Sequence, residues 1–194
     1  MDRRQQKTRK AIFKAFTELL AQKKYDRITV QEIIDRADVG RSTFYAHFET
    51  REALLEAMCA ELFEHVTHAH GHSEGTHDFS ETQDNLDTEL THILYHLRDD
   101  RKNMQGLLSG ESSELFLGSM KKDVGEIFKR QLKDQLQNRQ VPESFLLNHI
   151  ASSFVEMLHW WVQNEMRQTP ETMARYFAAV IQPVLGDDFT KVSK

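Results

Sequence analysis

Proline occurs three times in 194 residues, at Pro142, Pro170 and Pro183, all in the last third of the chain. Elsewhere apolar residues recur at spacings of three and four almost throughout, the period of a helix with one buried face. Proline breaks helices, so a chain that lacks it wherever the helical period is strong is predicted to be all-α. The length allows one large domain, or a small domain followed by a larger one. An apolar fraction of 39 % and a charged fraction of 28 % are those of a soluble globular protein. The single cysteine, Cys59, excludes an internal disulfide framework and suits a reducing cytosol. The basic N-terminus MDRRQQKTRK is not followed by an apolar run of signal-peptide type. No stretch approaches the roughly 18 apolar residues of a membrane span.

The most informative stretch is Thr29–Phe48, TVQEIIDRADVGRSTFYAHF. It reads as a helix-turn-helix, whose second helix enters the major groove of DNA. Thr29 caps a first helix to Asp35, and Glu32 three residues on completes a capping box. Val30, Ile33 and Ile34 form its buried stripe. Ala37-Asp38-Val39-Gly40 makes the corner, with Gly40 assigned the unusual backbone angles. The second helix runs from about Arg41 to Phe48. Phe44 and Phe48 share a core face, while Arg41, Ser42, Thr43, Tyr45 and His47 occupy the rest of its surface. Cation, hydroxyl, phenol and imidazole are groups that bond phosphate oxygens and base edges.

A helix from Thr8 to Gln22, burying Ile12, Ala15, Phe16, Leu19 and Leu20, is predicted to support this pair. Ahead of it Arg3, Arg4, Lys7, Arg9 and Lys10 form a basic arm, suited to phosphates or a minor groove, or to a solubilising tail. Charge is unevenly divided. Residues 1–51 hold twelve Lys/Arg and seven Asp/Glu, and the remainder holds thirteen and twenty-three. A head of +5 on a body of −10 suggests that one end meets nucleic acid.

The amphipathic helix Thr8–Leu20, the run ITVQEIIDRADVGRSTFYAHF and the leucine-bearing helix after Arg51 together resemble the DNA-binding end of the TetR family of bacterial transcriptional regulators. The ending T-F-Y-x-H-F is the most characteristic part, and the likeness covers the first third of the chain. Gly40 stands where a capping serine is usual in that family, and Ser42 where glycine is frequent. In the family a lysine at the start of the following helix reaches a phosphate; Arg51 occupies that place here, after the cap Thr50. Arg41 and Thr43 are the candidates for base or base-proximal contacts, with Ser42 beside them, and Thr29, Tyr45, His47 and Arg51 for phosphate contacts.

Beyond Phe48 a long helix carries Leu54, Leu55, Met58, Leu62 and Val66 on its buried face. HVTHAHGHSEGTH, residues 65–77, then holds half of all the histidines. His65, His68, His70 and His72 are candidate ligands for Zn²⁺, Ni²⁺ or Cu²⁺. The favoured reading of the same stretch is a polar helix end running into a loop, and a pH-responsive segment is a third. Further helices are predicted over Ser80–His96, Met104–Leu108, Glu111–Leu136, Ser144–Met166 and from Pro170, the last ended by Pro183 and Gly186. The segment WW…M…TPETMARYF resembles one C-terminal subtype of the same family, in which the last two helices pair with those of a second subunit. Two-fold pairing would place the recognition helices about 34–36 Å apart, one turn of DNA.

The family commonly binds a small effector in its C-terminal body. Candidate pocket residues are Tyr95, Met104, Phe116, Met120, Phe128, His159 and Trp160, which serve as well as plain core or as dimer interface. No Gly-rich phosphate loop, nucleophile elbow or His-Glu-x-x-His motif occurs, so no catalytic residues are assigned. Cys59 reads as a small buried hydrophobe. The expectation is an all-α, cytoplasmic, homodimeric regulator, foremost a repressor. A three-helix DNA-binding domain at 1–50 precedes a helical effector-binding and dimerisation domain at 51–194. Its partner is an inverted-repeat operator in double-stranded DNA. It requires no cofactor and answers to a small-molecule effector; the alternative is a metal sensor using His65–His77.

Overall fold

The computed structural model describes residues 3–68, 85–108, 113–137 and 141–185, and all regular structure among them is helical. In chain order these are α1 (Arg3–Leu20), a 3-10 turn (Tyr25–Arg27), α2 (Val30–Ala37), α3 (Arg41–His47), α4 (Arg51–His68) and α5 (Leu86–Asp99). There follow α6 (Arg101–Leu108), α7 (Ser113–Gln131), the single turn α8 (Lys133–Leu136), α9 (Glu143–Gln163) and α10 (Pro170–Leu185). Two compact units divide the chain: Met1–Ala60 with Asp100–Leu117, and Glu61–Asp99 with Gly118–Lys194. The division falls inside α4 rather than after residue 50, and α6 packs in the first unit.

In the first unit α1 lies against α2 and α6. Its buried stripe is Ile12, Ala15, Phe16, Leu19 and Leu20, as the spacing predicts. The basic arm is not separate: Arg3 to Lys10 are the opening turns of α1, because Arg, Lys and Gln are good helix formers and nothing there breaks the helix. Phe44 and Phe48 are buried, and Phe48 packs 5.5 Å from Phe13 by ring centroid. Tyr25 is buried too, edge-on to Phe16 at 6.0 Å. Gly106 brings α6 down onto the end of α1. A Cβ there would lie 2.5 Å from the Leu20 carbonyl oxygen and 3.4 Å from that of Lys23. Only glycine allows this approach.

In the second unit α5 runs along α10, the most extensive helix pairing among the described residues. Phe128 of α7 stacks on Phe177 of α10 at 5.5 Å, and Phe154 of α9 meets both edge-on at 6.1 and 5.4 Å. This aromatic trio ties three helices into one core. Cys59, in the first unit, is buried as expected.

Several boundaries differ from the sequence reading. α5 reaches Asp99, three residues further than expected, and its expected start at Ser80–Asp84 lies outside the described residues. The run expected to end at Leu136 breaks at Leu132 (φ −107°, ψ 16°), although Leu132 and Leu136 continue the apolar period and are both buried. Pro183 does not end α10. The turn it sits in loses only one backbone bond, and fully buried Leu185 anchors it. α9 stops at Gln163 through two successive left-handed residues, Glu165 (φ 58°) and Met166 (φ 49°). The Met166 amide donates to Trp161 O at 2.8 Å, and the Trp161 indole donates to Gln168 O at 3.1 Å, which fixes the reversal into α10.

Candidate nucleic-acid interface

The interface is built from the N-terminal end of α2 and the outer face of α3. Thr29 caps α2 as its sequence predicts. Its hydroxyl accepts from the Glu32 amide at 3.2 Å, and its own amide donates to the Glu32 carboxylate at 2.9 Å. Two amides that a helix start leaves open are thereby satisfied. The Glu32 carboxylate also pairs with Lys23. That contact, with the two hydrogen bonds from Thr29, pulls the Glu32 pKa down to about 2.

The corner between the helices departs from expectation. Gly40 has ordinary extended angles (φ −72°, ψ 152°) and caps α3 without a side chain. The left-handed residue is Asp38 (φ 52°, ψ 50°), whose amide donates to Ile34 O. Aspartate tolerates this region because its short polar side chain finds local partners.

On α3, Arg41, Ser42 and Tyr45 are exposed, and Thr43 and His47 are half-buried. Phe44 beneath them is fully buried and holds Tyr45 edge-on at 5.5 Å with the phenol 47 % exposed. The Arg41 guanidinium donates to the Gln31 side-chain oxygen at 3.3 Å. Gln31 in turn donates to Asp35 at 2.8 Å. Arg41 is thus held against α2 with its side chain exposed. Gln31 was missed by the sequence reading. Its signal was present: it lies two residues past the cap on the polar side of α2. Arg9 was read as part of an arm, yet its guanidinium lies over Phe13 at 4.8 Å and Phe48 at 5.0 Å.

Arg51 is the exception within the expected set. Its guanidinium donates to Tyr25 O at 3.1 Å and Ile28 O at 2.6 Å, contacts Glu52 at 3.1 Å and covers the Tyr25 ring at 4.1 Å. The Tyr25 hydroxyl donates to Glu52 at 3.2 Å. Burial, offset in part by Arg51, raises the Tyr25 pKa to about 12. Burial pushes Glu52 upward, but its own amide, Arg51, Thr50 and Tyr25 outweigh it and leave its pKa lowered. Arg51 therefore clamps the connection before α2 to the start of α4, which Thr50 caps by accepting from the Ala53 amide at 3.0 Å. Both carbonyls are reached from a single guanidinium nitrogen.

The other candidate residues fall in both units. Met104 and Phe116 are buried in the first unit, and Met120 and Phe128 are buried in the second. Tyr95 is half-buried and pairs with Glu171. His159 shares a hydrogen bond with Gln163 at 3.0 Å, and Trp160 is exposed on α9. His65 and His68 belong to the last turn of α4, but their side chains, and all of His70 and His72, lie outside the described residues. Among the described residues no group of three His, Cys, Asp or Glu side chains is placed to hold a metal ion. No helix there is long and apolar enough to cross a membrane.

Comparison with known proteins covers both units. Residues 12–58 match the model of bacterial regulatory proteins of the tetR family, and residues 84–183 match that of a transcriptional regulator C-terminal region of TetR type. The HTH-type transcriptional regulator YxbF of Bacillus subtilis strain 168 is 40 % identical over 79 residues, 38 % of this chain and 21 % of that protein. DhaS, the HTH-type transcriptional activator of the dhaKLM operon in Lactococcus lactis, is 42 % identical over 48 residues, 25 % of this chain. The chain thus spans about a quarter or less of the length of these two relatives. A TetR transcriptional regulator from Streptococcus agalactiae 2603V matches in structure with a TM-score of 0.67 at 33 % identity, over 93 % of this chain and 97 % of that one.

Proposed function

The chain belongs to the TetR family of bacterial transcriptional regulators, and from that membership we propose a cytoplasmic homodimer that represses transcription from an inverted-repeat operator and is released by a small-molecule effector. Regulators of this family bind DNA and are not enzymes. The observation that carries the reading is the outward polar row on a well-capped helix-turn-helix, in which Gln31 steers Arg41 and Phe44 props Tyr45.

Arg41 reads a base edge, with Thr43 and Ser42 beside it, since an exposed guanidinium suits guanine in the major groove. Thr29, Tyr45 and His47 position the head on phosphates. Arg51 serves by shaping the head. Dimerisation through α9 and α10 is supported by the apolar side chains these helices expose: Phe145 and Trp160 on one, Tyr176 and Val180 on the other. An effector must bind the released form more tightly than the DNA-bound form. Arg41→Ala is expected to cost about 1–3 kcal/mol at one base position and to relax preference there. Tyr45→Phe is expected to weaken binding evenly across sequences. Quantitative binding to an operator mutated base by base, at fixed salt, separates the two. Unchanged affinity and preference in Arg41→Ala would overturn its assignment.

A further inference from the structure

On α5, Glu89, His92 and His96 follow one another at spacings of three and four, so they share one side of the helix. Glu89 is 2 % and His92 4 % exposed, and His96 is half-buried. A polar row in such a setting needs partners, because buried polar groups destabilise unless bonded. Glu89 is paired with Arg130 of α7. The two histidines turn to each other: their Nε2 atoms are 3.0 Å apart, with ring centroids at 4.8 Å and planes at 34°.

A single N–H···N hydrogen bond accounts for that distance when the rings hold opposite tautomers. The same arrangement is a chelate, since histidines at i and i+4 on one helix face bring two nitrogens to one point. Imidazole nitrogens sit about 2.0–2.1 Å from such an ion, so two of them 3.0 Å apart come within reach of one centre. Imidazole donors suit Cu²⁺, Ni²⁺ and Zn²⁺. Imidazole donors also disfavour Mg²⁺ and Ca²⁺, which take oxygen.

We propose that His92 and His96 form a two-nitrogen site for a late first-row divalent ion such as Cu²⁺, whose remaining positions take water. On binding, the ring that carries its proton on Nε2 moves it to Nδ1 through solvent, so both imidazoles stay neutral and both Nε2 lone pairs meet the ion. The site lies in the helix that packs along α10, one turn from the Tyr95–Glu171 contact that joins the two helices. The assignment stands independently of the DNA-binding reading.

The test is titration of the full chain with Cu²⁺ alone, followed by calorimetry and by electron paramagnetic resonance. His96→Gln keeps a donor for the His92 ring at a half-buried position, and its circular dichroism and melt establish that it folds. Wild type is expected to bind one more equivalent per chain than His96→Gln, with a spectrum showing coupling to two nitrogens that the variant loses. A His68→Ala/His70→Ala double variant is expected to keep that equivalent. Equal stoichiometry in wild type and folded His96→Gln, or loss of the signal in the double variant instead, would overturn the site. Should His96→Gln fail to fold, sub-stoichiometric Cu²⁺ on wild type decides by nuclear magnetic resonance. The His92 and His96 ring signals must broaden first, and earlier broadening of other histidines would contradict the proposal.

Discussion

Replacing Arg51 by lysine keeps one charged nitrogen for the Tyr25 and Ile28 carbonyls, which a single guanidinium nitrogen serves here. It loses the second nitrogen, which meets Glu52, and the planar face over the Tyr25 ring. Arg51→Lys is expected to lose about 0.5–1.5 kcal/mol of stability, the worth of one such hydrogen bond. Urea unfolding measures this. A variant as stable as wild type but weakened in DNA binding would return Arg51 to the phosphate role. Glu32 gives a prediction in pH. Its folded pKa, about 2, lies below the ordinary 4.5, so its stabilisation is complete above pH 4.5. It erodes as pH falls through the window towards 2, where the carboxylate takes up a proton and lets go of Lys23 and the Thr29 amide. The stability gap between wild type and Glu32→Ala should therefore narrow across that window; a gap independent of pH would show that the carboxylate charge contributes nothing.

Helices meet in the first unit at one point that tolerates no side chain. Gly106→Ala would place a methyl group 2.5 Å from a backbone oxygen of α1, and backbone cannot swing aside as a side chain can. Destabilisation of about 1–3 kcal/mol is expected from the forced separation of α6 and α1, read as a lowered melting temperature. An unchanged melt would show that α6 does not dock there. Gly106 illustrates what a single sequence conceals, because a glycine within a helical period looks like an ordinary surface position until its neighbour is known. Elements whose signals are local were legible: the Thr29–Glu32 capping box, the Thr50 cap, Pro170 at the start of α10 and the Phe44/Phe48 core pair. The corner was half legible. A turn was required, but whether Asp38 or Gly40 took the left-handed angles depended on which carbonyl the next amide could reach. The partners of Arg51 and Arg9 within the fold were hidden in the sequence for one reason. A long cation looks free in sequence, and only the fold shows carbonyls or aromatic faces within its reach.

At the scale of the whole molecule, one helix-turn-helix contacts too few bases to select a site, and two held at a fixed spacing do. The second unit exposes Val180 at 64 % and Tyr176, four residues before it, on the same face of α10. A charge at Val180 costs the isolated fold little, since surface substitutions stay within about 0.5 kcal/mol. Val180→Asp is therefore expected to keep the melting profile of its helices while halving the mass seen by analytical ultracentrifugation. A variant that stays dimeric would place the interface elsewhere. The split of +5 over residues 1–51 and −10 over the rest has a consequence on the same scale. The head supplies the attraction to phosphates, the body is repelled, and association should weaken steeply with salt. The most direct measurement is therefore selection of bound fragments from the source genome by the purified full chain, with a salt titration of the best fragment. Recovery of a short inverted repeat, its half-sites about one helical turn apart and its affinity falling linearly on a log–log plot against salt, is the expected result. A folded, dimeric protein that enriches no sequence, or that binds one unrepeated site without dependence on salt, would contradict the account.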